Sequence, residues 1–212
     1  YHNNLTQIDN YIPASLKLGA NIAVYVDSYR DLKIFYAGEV YKIYNLQDLI
    51  CRNGDEIKDI STYPDLQRYC SGTLVDARFN SLPLFLAGDD MVMFIDERNY
   101  LQVFYKGVLI EALETRPKMY DVVDNIAWFI DLNGFLNVFY NGEVYVVENY
   151  TPGNIRADMD IVCYTDLNNR LVAFYKGKRY EVSKDIIRMY ELNNKGIIYS
   201  SVENIYQYYS FE

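Results

Sequence analysis

A glycine returns about every 35 residues behind a pair of bulky residues: Phe35-Tyr36-Ala37-Gly38, Tyr69-Cys70-Ser71-Gly72, Phe104-Tyr105-Lys106-Gly107, Phe139-Tyr140-Asn141-Gly142 and Phe174-Tyr175-Lys176-Gly177. A fixed period marks a repeat architecture, in which each unit is too small to bury its own apolar surface and stacks on the next. The same order recurs around each glycine: an apolar run, an Asp, a Leu five residues later, the aromatic pair, a two-residue turn and a second apolar run. Asn141-Gly142 between two such runs is the strongest short hairpin signal, since both turn residues need positive φ. The copy from Pro117 to Asn149 therefore reads as four short antiparallel strands, at Met119 to Val123, Ile126 to Ile130, Phe135 to Tyr140 and Val144 to Val147.

Phe139 and Tyr140 are neighbours, so in a strand they point to opposite faces. Both faces of each sheet are then covered, which suits a small antiparallel sheet held between two others. The 23 Tyr and 10 Phe, set among Val and Ile, favour strands for the same reason: branched and aromatic side chains pack well on a pleated surface.

This grammar resembles the β-propeller architecture at large, over nearly the whole chain. It lacks the WD dipeptide, the kelch double glycine and the sialidase Asp-box, so no single sequence family is singled out. The resemblance implies an all-β fold, a closed six-bladed β-propeller of four-stranded antiparallel blades in one domain, 1–212. The blades would span 13–46, 47–82, 83–116, 117–151 and 152–185, with a sixth split between 186–212 and 1–12. The second copy is worn: Ser61 replaces the Asp, Tyr69 and Cys70 take the aromatic pair, and Pro64 enters the turn. In the sixth, Ile186 to Tyr190, Ile197 to Ser201 and Ile205 to Tyr209 match three strands. The run Gln7 to Pro13 resembles Val146 to Pro152, so Asn4 to Ile8 is expected to supply the missing outer strand and close the ring.

The formal charge of −9 argues against sequence-independent nucleic-acid binding and against docking on anionic membrane, both of which rely on Lys and Arg meeting phosphate. No apolar run is long enough to span a bilayer, and no cleavable signal opens the chain, although it begins at Tyr1 and secretion stays open. Three cysteines, Cys51, Cys70 and Cys163, stand at unlike places in the repeat. They read as free thiols, with Cys70 and Cys163 buried, which favours an intracellular, reducing setting. With no CxxC and a single histidine, His2, neither a metal nor any other cofactor is expected.

Asp27, Asp96, Asp131 and Asp166 open the turn between the second and third strands and are expected to bond their own backbone there. Tyr29, Tyr100 and Phe135 lie in those turns outside the strand pattern, beside Asn99, Asn133 and Asn168, with Tyr11 and Tyr150 in the connections between copies. Aromatic faces next to adaptable amides suit a protein partner or a sugar ring. Those six turn residues are the expected binding rim. No nucleophile-and-base pair or glycine-rich phosphate loop is visible. The favoured function is a non-enzymatic protein–protein interaction scaffold, with a carbohydrate-binding lectin as the alternative and a propeller hydrolase third.

Overall fold

The computed structural model describes residues 7–13, 15–45, 85–96, 98–193, 196–203 and 205–211. Two compact units divide the chain, 1–114 and 115–212. The described residues form strands and turns only.

In the first unit, β1 (Ser15–Leu18), β2 (Ile22–Val26), β3 (Asp31–Tyr36) and β4 (Glu39–Asn45) make one sheet, and β5 (Phe85–Ala87), β6 (Met91–Ile95), β7 (Leu101–Tyr105) and β8 (Val108–Leu113) a second. In the second unit, β9 (Met119–Val123), β10 (Ile126–Ile130), β11 (Leu136–Tyr140) and β12 (Glu143–Glu148) make a third. The fourth holds β13 (Gly153–Asp158), β14 (Ile161–Thr165), β15 (Arg170–Tyr175), β16 (Lys178–Asn193), β17 (Gly196–Ser201) and β18 (Tyr206–Ser210). Every pairing is antiparallel between strands adjacent in sequence.

The expectation of sheets covered on both faces holds. All five residues of β2, β6, β10 and β14 are buried, while the outer strands β8 and β12 are exposed at alternate or successive positions. The hairpins after the aromatic pairs place both central residues at positive φ, from Ala37 (53°) and Gly38 (87°) to Asn141 (51°) and Gly142 (89°). That left-handed pair matches the strand twist. A register shift recurs just inside β3, β7, β11 and β15, at Leu32/Lys33, Leu101/Gln102, Leu136/Asn137 and Arg170/Val172. Such a bulge bends the outer strand at the same point in each copy.

Sheets stack through a repeated aromatic joint. Phe104 meets Tyr36 and Tyr41 of the first sheet, with ring centroids 5.9 and 4.9 Å away. Phe174 meets Tyr140 and Tyr145 at 6.2 and 5.3 Å, and Phe211 meets Tyr175 and Tyr180 at 4.6 and 5.6 Å. Edge-on and tilted rings of this kind add to the area they bury. The sheet of the first copy packs directly on that of the third, sharing a core of Val24, Ile34, Tyr44, Phe85, Val92 and Phe94; the 47–82 copy lies outside the described residues. Asn21 fixes that stacking at one edge, its side-chain amide donating to Asp90 Oδ1 (2.8 Å) and its backbone N–H to Asp89 O (2.9 Å).

Two expectations at the ends of the repeat need restating. The sequence suggests a break before Ile186, yet β16 runs unbroken from the outer place of one blade to the inner place of the next. The cause is at Ile187, which stands where the preceding copy has Pro152 and donates its N–H to Asn169 O (3.0 Å), a bond proline cannot make. The outer strand expected from Asn4 to Ile8 falls mostly outside the described residues; Gln7 and Ile8 are not in a strand. Cys163 is free and fully buried as expected, whereas Cys51 and Cys70 lie outside the described residues.

Candidate binding site on the turn rim

Each turn between second and third strands is built by its leading aspartate. Asp27 Oδ1 accepts the N–H groups of Tyr29 (2.9 Å) and Asp31 (2.8 Å), and Asp96 Oδ1 those of Arg98 (2.8 Å) and Tyr100 (2.9 Å). Asp131 Oδ1 accepts from Phe135 (2.8 Å), and Asp166 Oδ1 from Asn168 and Arg170 (both 2.8 Å). The third residue after each aspartate is left-handed in all four, at Arg30, Asn99, Gly134 and Asn169. The aspartates are therefore turn makers, as expected.

The six expected rim residues take unlike roles within this shared frame. Tyr29 is 67% exposed, the most open of the three aromatics. Tyr100 is half-buried beneath the Arg98 guanidinium, 4.4 Å from the ring centroid. Phe135 is half-buried, and Asn133 and Asn168 are exposed. Asn99 serves the backbone through its φ of 63°. Tyr29, Asn99 and Tyr100 belong to the first unit, and Asn133, Phe135 and Asn168 to the second.

Charges at several of these turns are consumed internally. Lys33 Nζ bridges Asp27 (2.7 Å) and Asp9 (3.3 Å), Lys42 meets Asp31 (2.6 Å), and Arg98 spans Asp96 (2.9 Å) and Glu111 (2.8 Å). Burial works to raise the Asp27 carboxyl, but Lys33 and the N–H groups of Asp31 and Tyr29 outweigh it and hold the group below its ordinary value. In the second unit, Glu148 Oε1 accepts from Tyr164 Oη (2.7 Å) and Arg179 Nε (2.8 Å), and burial pushes the Tyr164 phenol far up.

Of the six, Asn168 lines a groove. This groove, of about 630 Å³, opens between Asn168-Asn169-Arg170, the stretch Lys184-Asp185-Ile186 within β16, and Ser201, Val202, Glu203 and Ile205, with Gln207 of β18 at its end. Ile186, Val202 and Ile205 are each at least half exposed. Arg170, Lys184, Asp185 and Glu203 make no ion pair with any described residue.

Sequence reasoning missed this groove. Its signal lay in departures from the repeat one copy after Phe135, Tyr150 and Pro152, where Arg170, Asp185 and Ile187 stand instead. At the earlier joint Tyr150 is half-buried, and burial together with Glu148 raises its phenol. Thr151 Oγ1 there donates to Gly134 O (2.9 Å). At the later joint Arg170 and Asp185 line the open volume with charge.

Four-stranded antiparallel sheets, buried on both faces and joined through repeated aromatic contacts, are β-propeller blades. The chain matches, over residues 58–210, the family described as the 10-bladed beta propeller domain, and it belongs to that family. Among solved structures it is similar to Prp20p of Saccharomyces cerevisiae, at 10% identity over 91% of this chain and 56% of that one, with a TM-score of 0.43. It is similar to BamB of Moraxella catarrhalis at 9% identity over 98% and 62%, TM-score 0.36, and to the computationally designed Ika8 protein at 9% over 92% and 57%, TM-score 0.38. The chain thus spans 56% to 62% of the length of these three proteins. No curated protein matches it.

Proposed function

We propose that this chain is a non-enzymatic protein-interaction scaffold that docks an extended segment of a protein partner in the rim groove. The observation that carries the reading is the set of four groove charges, two of each sign, that make no ion pair with any described residue beside exposed Ile186, Val202 and Ile205. A segment bearing one acidic and one basic side chain would complement both pairs and cover the aliphatic wall, whereas a neutral sugar would leave the charges unanswered. The non-enzymatic part draws support from Cys163, whose thiol is fully buried and pushed up by desolvation, away from the reactive thiolate. A buried free thiol also fits a reducing, intracellular setting.

The test sets hexapeptide and glycan arrays side by side. Wild-type protein should capture peptides carrying both charge signs, less strongly at high salt, and the doubly reversed variant R170E/K184E should lose them while melting normally. Glycan capture that survives this variant would replace the reading with a lectin.

We further propose that residues Asn4 to Ile8 pair with β18 and close a six-bladed ring. The count of six rests on the sequence copies alone. Supporting the closure, Tyr25 Oη donates to Ile8 O (3.3 Å) as Tyr164, its counterpart, donates to Glu148 at the end of β12. The chain thus approaches the first blade where an outer strand of a preceding blade would end. Among the described residues, no strand covers the outer edge of β18.

A further inference from the structure

We infer that the groove recognises an aromatic side chain, tyrosyl or phenyl, on the partner's segment; this rests on the protein-docking reading above. The inference comes from comparing two joints of the same fold. At the joint between the sheet of β9 to β12 and the blade opened by β13, this copy places Phe135 and Tyr150, both half-buried, where the first copy has Asp31 and Leu46 and the third Tyr100 and Thr115. One copy later the same two positions hold Arg170 and Asp185, both lining the 630 Å³ groove. The frame around them is partly kept: an Asp166-led turn lies on one side and a turn closed by Ser201 N–H to Ile205 O (3.2 Å) on the other, while β16 crosses where the earlier joint has Pro152. The later joint thus has two opposite charges where the preceding one has two aromatic residues.

Groove chemistry fits a phenol. Tyrosine hydroxyls in this protein repeatedly donate to a carboxylate, Tyr41 to Glu39 (3.0 Å), Tyr145 to Glu143 (2.7 Å) and Tyr164 to Glu148. Asp185 presents such a carboxylate inside the groove, and Arg170 presents a guanidinium able to cover a ring as Arg98 covers Tyr100. Ile186, Val202 and Ile205 supply the apolar wall. An aromatic anchor set in a pocket with a charged rim is the usual composition of a strong contact point.

Three measurements test this. N-acetyl-L-tyrosinamide, titrated into labelled wild-type protein, should shift the amide resonances of Asn168 to Arg170, Asp185, Ile186 and Ser201 to Glu203, and N-acetyl-L-alaninamide should not. The variant R170F/D185Y, which restores the residues of the earlier joint, should lose the tyrosinamide response and melt a few degrees higher. In the hexapeptide array, replacing the aromatic residue of a captured peptide by alanine should weaken capture about tenfold or more. Peptides captured without aromatic preference, yet lost in R170F/D185Y, would overturn the aromatic assignment and leave the docking groove standing. No peptide capture at all would overturn both, and an unchanged tyrosinamide response in R170F/D185Y would move the aromatic site elsewhere. Should that variant fail to fold, the wild-type titration decides alone.

Discussion

At the scale of single residues, polar side chains here mostly serve the backbone. Asp27 is the fullest example, with one oxygen on two turn N–H groups and the other on Lys33. Its carboxyl is held below its ordinary value, so it binds protons less readily folded than unfolded. The stability it contributes is present above the unfolded carboxylate range and is lost as pH falls through the folded value. Urea unfolding of the wild type should weaken from about pH 5 down to pH 3, and D27N should cost about 2 kcal/mol at pH 7 with a flatter acid limb. Equal acid limbs in the two proteins would show that the Lys33 pair is too well solvated to matter.

At the scale of elements, the strands and tight turns were legible because they depend on neighbours in sequence. Asn141-Gly142 announces its hairpin, and the Asp131 and Asp166 turns follow from local side-chain-to-backbone bonding. The groove was not legible. Its lining residues Arg170, Asp185 and Ser201 meet only after β15, β16 and β17 pair. Nor does the sequence announce that Tyr100, an expected open contact, sits under Arg98, since that depends on where the left-handed Asn99 aims the turn. The unbroken β16 makes its own prediction. I187P removes the N–H held by Asn169 O and should cost about 1–3 kcal/mol in urea unfolding, with altered amide signals in both halves of β16. A neutral effect would mean that the two halves behave as separate strands.

At the scale of the whole molecule, closure is the property that single blades cannot display. If Asn4 to Ile8 cover β18, removing residues through Ile8 should bare the edge Tyr206-Gln207-Tyr208-Tyr209-Ser210, which carries neither charge nor proline to discourage pairing with another chain. The truncated protein should melt lower and aggregate in a concentration-dependent way, seen by light scattering during a thermal ramp. A truncation that melts and scatters like the parent would remove the closure and with it the count of six.

The strand that serves two sheets without interruption also has a mechanical side. Where the chain passes from β12 to β13 through Pro152, no strand is shared by the two blades, whereas β16 pairs with β15 at Lys178 to Glu181 and Ile186 and with β17 from Ile187 to Asn193, so one strand spans the joint. Thermal rocking between blades should therefore concentrate at the proline joint and leave the two blades sharing β16 to move as one plate. The groove is cut into that plate, so its width should stay constant while the neighbouring joint breathes, and a partner seated there would feel a rigid slot.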